Sequence, residues 1–202
     1  TVLTALPAGV GLSVLAEPIL LLLYPAVPDT ARAAAYHLTF LGLACVFVCL
    51  MVAANGVLQA YGHPLVPVLA LLCGGVLKVV TNYLMVGDPA TGIRGAAVST
   101  LYCYALIVLI DLIAIARLVP ERPGYIRLFA RPVLVTAVMA LAARSGYGLF
   151  CRVLPERWAV LPAIAVAAAV YGILALATGA VTRTDVVTLP RGEKIADFLH
   201  LR

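Results

Sequence analysis

The sequence contains little charge and few aromatic side chains. Of its 202 residues only 11% are charged and 7% aromatic, whereas soluble domains carry about 25% charged residues. This scarcity excludes an ordinary soluble enzyme and a disordered chain, because both need a polar surface or a polar composition. Hydrophobic residues make up 64% of the chain, and a single small core cannot bury that much apolar surface. The composition therefore predicts an integral membrane protein.

The sequence also lacks any pattern of metal-binding or disulfide-forming cysteines. Five cysteines are present without a CxxC pair, and only Cys45 and Cys49 share a helix face. We expect them to act as small apolar side chains, which excludes a disulfide-stapled module and predicts no cofactor. The formal charge of +5 comes from short basic segments typical of membrane flanks. No basic stripe with interleaved aromatics is present, so no nucleic-acid partner is predicted.

Long apolar runs fill most of the chain. A bilayer core about 30 Å thick requires about 20 residues of helix, and six runs reach that length. Helices are expected because lipid cannot satisfy the backbone polar groups of a lone strand. The chain opens inside an apolar run without a charged lead-in, which predicts a fragment or a processed chain. The expected fold is all-α and integral to the membrane, with about six transmembrane helices: Val2–Tyr24, Ala33–Leu58, Val66–Val86, Ala96–Leu118, Ala130–Leu149 and Ala159–Ala180.

Basic residues predict the orientation of these spans. Eight Lys and Arg residues lie on the side that holds both chain ends, and five lie on the other side. The positive-inside tendency therefore predicts a cytoplasmic tail over residues 182–202. Within this tail, Glu193–Leu201 has the spacing of a short amphipathic surface helix, and a frayed terminus is the equal alternative.

Two residues of opposite charge occur at matching depth in the predicted spans. Glu17 lies seven residues before the outer end of the first span, and Lys78 lies eight residues before the outer end of the third. Charged groups inside a bilayer are costly and usually face a polar interior. We expect both to line one cavity, as a pair or separately, with Asn82 one helical turn after Lys78. The alternative is that Lys78 extends outward to the interface while Glu17 is protonated or bonded locally.

A third ionisable residue, Asp111, lies in the opposite half of the membrane. Arg117 on the same helix and Arg131 at the start of the fifth span are its expected partners. A structural role is favoured over a role in transport.

Prolines interrupt the first predicted span. Pro7 and Pro18 cannot donate a hydrogen bond, so they leave the carbonyl groups of Leu3 and Val14 without their usual helical partners. A helix interrupted at a cavity is a recurring transporter device. A simple kink that improves packing is equally compatible with these prolines.

Several segments together resemble a known transporter family. They are Leu6–Tyr24, Gly56–Pro64, Pro67, Lys78, Asn82–Leu84, Gly92–Thr100 and Leu189–Ile195. Their combination is similar to the polysaccharide-biosynthesis branch of the multidrug/oligosaccharidyl-lipid/polysaccharide exporter superfamily. Within it, the chain most resembles the stage V sporulation protein B group, which is related to the lipid II flippases.

The resemblance implies a domain organisation. Members of the family have about fourteen helices in two lobes of six, plus two further helices. By this resemblance, residues 1–118 hold four helices of the second lobe, residues 119–181 hold the two appended helices, and residues 182–202 form the cytoplasmic tail. The first lobe, absent here, is then a partner of this chain within the same protein.

The resemblance also implies a coupling-ion site and a function. Related flippases use an Asn and hydroxyl oxygens of neighbouring helices for sodium, which points to Asn82 and Thr100. Val86 stands where an acid would strengthen such a site, which leaves the coupling ion as either Na⁺ or H⁺. A proton-linked role of Glu17 is our own inference.

The implied function is not enzymatic. It is the translocation of a lipid-linked oligosaccharide, or of a peptidoglycan or polysaccharide precursor, across the bacterial cytoplasmic membrane by alternating access. A multidrug or cation antiporter of the same superfamily is one alternative. A membrane-embedded enzyme of glycan assembly is a weaker one, because His37, His63 and His200 have no acid at useful spacing.

Overall fold

A computed structural model describes residues 1–88, 92–119 and 125–177, with the side chains of 125–128 left aside. These residues form seven α-helices and contain no β-strand. The helices are α1 (Val2–Val14), α2 (Ala16–Leu23), α3 (Pro28–Ala60), α4 (Leu65–Val86), α5 (Arg94–Leu118), α6 (Tyr125–Phe150) and α7 (Val160–Ala177).

Five of these helices, α3 to α7, are long and apolar enough to cross a membrane. The pair α1 and α2 passes the same criteria only as one broken span, so five or six crossings result. The prediction of an all-α, multi-pass membrane protein is thus confirmed. The predicted last span extends to residues 178–180, and the predicted tail helix to residue 201; both of those stretches lie outside the described residues.

The helices pack in a chain of neighbours. Helix α3 packs against α1, α2 and α5, and α4 packs mainly against α5. Helices α6 and α7 form a hairpin that packs on the bundle chiefly through α1. Helix α1 therefore joins two groups, the α3–α5 layer on one side and the α6–α7 hairpin on the other.

The crossing of α1 and α3 depends on two glycines and two hydroxyl groups. A β-carbon on Gly42 would lie 2.9 Å from the backbone oxygen of Gly9, so the two backbones approach directly. One turn along, the Ser13 hydroxyl donates to the Thr39 carbonyl at 2.9 Å. The Thr39 hydroxyl donates to the Ala35 carbonyl of its own helix at 2.9 Å and lies 3.4 Å from the Ser13 carbonyl. Small residues and interhelical hydrogen bonds are the usual means of helix association in lipid.

The outer surface of the bundle is apolar, as a lipid-facing surface requires. Large hydrophobic side chains on several helices stand mostly exposed, among them Tyr83 of α4, Leu141 of α6 and Ile173 of α7. Buried positions are dominated by small residues, and α5 contributes the largest share of them. This is the reverse of the pattern in a soluble bundle, where exposed helix faces are polar.

We expect Gly42→Ala to destabilise the protein by about 1–3 kcal/mol, because the added methyl group overpacks the α1–α3 crossing. Gly56→Ala in the same helix is the matched control, since a β-carbon there meets nothing within 4 Å. The thermal unfolding midpoints of the two full-length variants in detergent measure the loss of stability. Equal midpoints for the two variants would contradict the close approach of α1 and α3.

Candidate functional site

The first span breaks at Leu15, between α1 and α2. The two helices meet at an angle of 71°, and Pro18 occupies the first turn of α2. Because Pro18 has no N–H group, the Val14 carbonyl loses its helical partner, and the chain changes direction there. Of the two interpretations left open for these prolines, the break near Pro18 agrees with an interrupted helix, whereas Pro7 remains inside α1.

A tyrosine from the last described helix satisfies the carbonyl that Pro7 leaves without a partner. The Tyr171 hydroxyl of α7 donates to the Leu3 carbonyl oxygen at 2.6 Å. In lipid no water is available for such a group, so a side chain from another helix has to supply the donor. This bond attaches the α6–α7 hairpin to α1.

A cavity of about 400 Å³ lies beside the break. Its walls are almost entirely apolar and come from both sides of the bend: Gly11, Leu15, Ile19, Met139, Ala167 and Tyr171 are among them. The volume falls in the range of pockets that hold small molecules. The structure thus places a cavity beside the break in the first span.

An arginine bridges two carboxylates close to the same bend. Arg32 of α3 lies 3.4 Å from a Glu17 oxygen through Nε and 3.6 Å from a Glu156 oxygen through its terminal nitrogen. All three side chains are about half exposed. We call these three residues the ionic bridge; it joins α2, α3 and the connection between α6 and α7. It carries one more negative than positive charge.

Glu17 and Lys78 do not form the expected pair. Among the described helices, α2 packs against α1, α3 and α7 and makes no contact with α4, the helix of Lys78. A matching depth for the two residues requires a straight first span, but the 71° bend carries Glu17 toward Arg32. We therefore correct the expected pairing, and Arg32 takes the place of Lys78 as the partner of Glu17.

Lys78 and Asn82 lie on α4, and their surroundings come from α5. The Ser99 hydroxyl of α5, which is fully buried, lies 3.0 Å from the Ala96 carbonyl of its own helix and 3.3 Å from the Asn82 side-chain oxygen, so its one proton is shared between these two acceptors. The Thr100 hydroxyl donates to the Ala96 carbonyl of its own helix at 2.9 Å. The structure thus brings Asn82 to Ser99, and it gives Thr100 a partner within α5.

Asn82 also borders an open hollow of about 770 Å³ at the end of α4. Val79, Tyr83, Val86 and Asp88 line the same hollow. Asn82 can therefore meet a solute from the hollow while Ser99 holds its amide oxygen. No group of three His, Cys, Asp or Glu side chains that could hold a metal occurs in the described part of the chain.

Asp111 is buried between helices and faces an amide. With the Asn55 amide oriented to satisfy its neighbours, its nitrogen donates to Asp111 Oδ2 at 3.1 Å and to the Met51 carbonyl at 3.2 Å. The predicted partners, Arg117 and Arg131, form no ion pair with Asp111 among the described residues. Asn55 on α3 is the observed partner, so that expectation is corrected.

Sequence reasoning missed four partners: Arg32, Glu156, Ser99 and Asn55. Ser99 belongs to the segment Gly92–Thr100 that carries the family resemblance. That segment could therefore have identified Ser99 as a polar neighbour of Asn82. The other three lie on different elements from their partners. No spacing within one helix reports such contacts.

Comparison with known proteins adds one relative. The chain is 26% identical over 200 residues to a protein of Bacillus subtilis (strain 168) described as "Uncharacterized membrane protein YabM". The match covers 96% of this chain and 36% of that protein, so the chain spans about a third of its relative's length. No protein-family model and no solved structure matches the chain. Together with the helices, the relative supports a multi-pass membrane protein.

We expect Tyr171→Phe to destabilise the protein by about 0.6–1.7 kcal/mol, because the Leu3 carbonyl loses its donor inside lipid. In a Pro7→Ala background the loss should shrink, since an alanine at this position supplies an N–H to the same carbonyl. Thermal unfolding of the four proteins in this double-mutant cycle measures the coupling. Additive effects would show that Tyr171 does not act through the carbonyl that Pro7 leaves without a partner.

We expect Glu17→Gln to change stability by at most about 1 kcal/mol, because a half-exposed ion pair is screened by solvent. The difference should vanish at high salt, where the Debye length falls to about 3 Å at 1 M. Unfolding at low and high salt tests this, with Asp29→Asn as a control because Asp29 is exposed and outside the ionic bridge. An effect of Glu17→Gln that salt leaves unchanged would contradict electrostatic bridging.

Proposed function

We propose that this chain is the C-terminal portion of a transporter that translocates a lipid-linked saccharide precursor across the bacterial cytoplasmic membrane by alternating access. The substrate class comprises oligosaccharides and peptidoglycan or polysaccharide precursors on a lipid carrier. The proposed partners are membrane lipids, this substrate and a preceding lobe of the same protein. No catalytic role is part of the proposal, and the tail is placed in the cytoplasm.

One observation carries the proposal: a broken membrane span that borders a cavity and bears a charged bridge at its bend. Transporters commonly place unwound helices at their binding sites, because the freed backbone groups and the bend create a cavity inside the bilayer. A membrane protein that serves only as a structural scaffold has no need of ionisable side chains at such a bend. The ionic bridge also joins three elements. A movement of one of them would therefore alter its charge contacts with the other two.

The length of the relative agrees with this architecture. About two-thirds of that protein lies outside the match, which leaves room for a second lobe. The resemblance described above assigns four of the six crossings to one lobe and two to the appended helices. In this arrangement the exposed polar residues Asn82 and Glu17 would border the space between lobes.

Lys78, Asn82, Thr100 and Glu17 are the residues that we propose for the substrate or coupling-ion cavity. Lys78 has no ion-pair partner among the described residues, so its ammonium is available to an anionic headgroup. Asn82 supplies an amide on the same face one turn away, and Ser99 orients it. A pyrophosphate-linked lipid carries the matching charge.

The first alternative is a multidrug or cation antiporter of the same superfamily. The ionic bridge carries one excess negative charge, which would favour a cationic solute, whereas Lys78 favours an anionic one. The second alternative, an enzyme of glycan assembly, needs an acid or a base positioned beside a substrate. The same liposome experiment distinguishes the two alternatives. An antiporter would export a cationic solute, and an enzyme would convert the lipid chemically.

We expect Lys78→Met to lower the rate of translocation by at least about tenfold, because the variant keeps the unbranched side chain except its last atom and removes the charge. The full-length protein is reconstituted into liposomes that contain a fluorescent pyrophosphate-linked lipid saccharide. An impermeant quencher then reports the fraction of lipid that has crossed. Arg152→Gln is the matched control, since Arg152 is exposed in the connection between α6 and α7.

The proposal fails if the wild-type protein leaves the labelled lipid on its original side while it exports a cationic dye, which would identify the antiporter. It also fails if the protein converts the lipid chemically without moving it. Equal rates for Lys78→Met and Arg152→Gln would remove Lys78 from the cavity and leave the proposed transport intact.

A further inference from the structure

We propose that Asp111 and Asn55 form a proton-binding site between α3 and α5. The Asp111 carboxyl holds a proton in the described conformation, and it releases that proton to water when the two helices separate. This inference deepens the proposed function, because it names H⁺ as the coupling ion and Asp111 as its carrier. The occupancy of the site by a proton does not depend on transport and is tested separately.

The geometry isolates one oxygen of the carboxyl group. The Asp111 side chain is 0% exposed, and its Oδ2 accepts the Asn55 amide at 3.1 Å. Its Oδ1 is buried and has no hydrogen-bond partner among the described residues. An ionised carboxylate needs donors for both oxygens or a nearby cation, and one neutral amide satisfies only one oxygen. A protonated carboxyl removes the charge and leaves a single hydroxyl in the apolar site.

No charged side chain faces Asp111 from the described helices packed against α5. Those helices are α3 and α4. Helix α3 presents Asn55 and Met51, and α4 presents Ala70, which is fully buried against Ile107 and its neighbours.

No ionisable group on these three helices forms an ion pair with Asp111 in the described part of the chain. Lys78 follows Ala70 by eight residues, about 12 Å along α4. Cys49 precedes Asn55 by six residues on α3, and Arg117 follows Asp111 by six on α5. Neither reaches the carboxyl through an ion pair. A proton is therefore the counter-charge that this site can hold.

The site suits a proton better than a metal cation. Metal cations that prefer oxygen are held by several oxygen atoms at once. No group of three His, Cys, Asp or Glu side chains in the described part of the chain could hold a metal ion there, and the nearby Met51 carbonyl already accepts the Asn55 amide. A proton needs one oxygen with an open lone pair, and Oδ1 offers it.

Release of the proton requires the interface to open. The O–H bond at Oδ1 breaks, the proton passes to a water molecule between the helices, and the carboxylate remains with the Asn55 amide on Oδ2. Around the site the two helices meet through small apolar residues such as Ala54, together with Leu58 and Ile115. A separation that admits water would hydrate the carboxylate and stabilise its charged form.

Infrared spectroscopy of the full-length protein in lipid nanodiscs at neutral pH tests the bound proton. The carbonyl band of a protonated carboxylic acid, which ionised carboxylates lack, should be present in the wild type. It should disappear in Asp111→Asn and persist in Asp29→Asn, an identical substitution at an exposed position of α3. Asn55→Leu keeps the volume and should shift the band, because the hydrogen bond to Oδ2 is lost.

The same band in wild type and Asp111→Asn would overturn the proposal. If Asp111→Asn does not fold, Asn55→Leu decides: a shifted band supports the protonated Asp111, and an unshifted band overturns it.

A pH gradient across the liposomes described above tests the coupling. Asp111→Asn should lower the acceleration that the gradient gives to translocation by at least about tenfold, and Asp29→Asn should retain it. Full acceleration in Asp111→Asn would overturn the coupling role. If the wild-type protein moves no lipid-linked saccharide while the infrared band is present, the proposed function fails and the proton site stands.

Discussion

The hydrocarbon around the helices is the constraint on which the rest of this structure depends. Because lipid offers no hydrogen bonds, a polar group inside the bundle is stabilised only where the chain itself supplies a partner. The Tyr171 hydroxyl meets the Leu3 carbonyl, and the Ser99 hydroxyl meets the Asn82 amide. The first pair joins α7 to α1, which otherwise pack little against each other, and the second joins α4 to α5, which also share the buried cluster of Ala70, Cys103 and Ile107. Polar contacts therefore add to small-residue packing in holding the helices together.

The same constraint limits what apolar packing contributes to this bundle. Lipid is as apolar as the side chains that it touches, so helices gain little from burying hydrophobic residues against one another. The described clusters of buried residues are small, with Leu15 and Met139 in one and Leu58 and Ile115 in another. Helix α1 is the link between the α3–α5 layer and the α6–α7 hairpin. The bend at its end carries the ionic bridge, which joins α2, α3 and the connection between α6 and α7.

Much of the fold follows from the sequence, because apolar length and proline position are local properties. The spans end where proline and glycine begin, and Pro18 predicts the break in the first span. What the sequence does not contain is the angle of that break. Depth counted along a straight helix placed Glu17 opposite Lys78, whereas the bend brings it to Arg32. The resemblance likewise points to Asn82 and Thr100 as ion ligands, whereas the adjacent Ser99 is the hydroxyl that lies near Asn82, because helix rotation decides which of two adjacent hydroxyls faces the neighbouring helix.

The most direct test of the account is the surroundings of its exposed apolar side chains in the full-length protein. A nitroxide label replaces Leu141, which is 69% exposed at the middle of α6, or Val153, which is 84% exposed in the connection between α6 and α7. Relaxation by oxygen, which concentrates in lipid, is compared with relaxation by a water-soluble paramagnetic complex. A label at 141 that responds to oxygen alone and a label at 153 that responds to the water-soluble complex agree with helices embedded in hydrocarbon. Strong relaxation of the label at 141 by the water-soluble complex would contradict the placement of these helices in hydrocarbon.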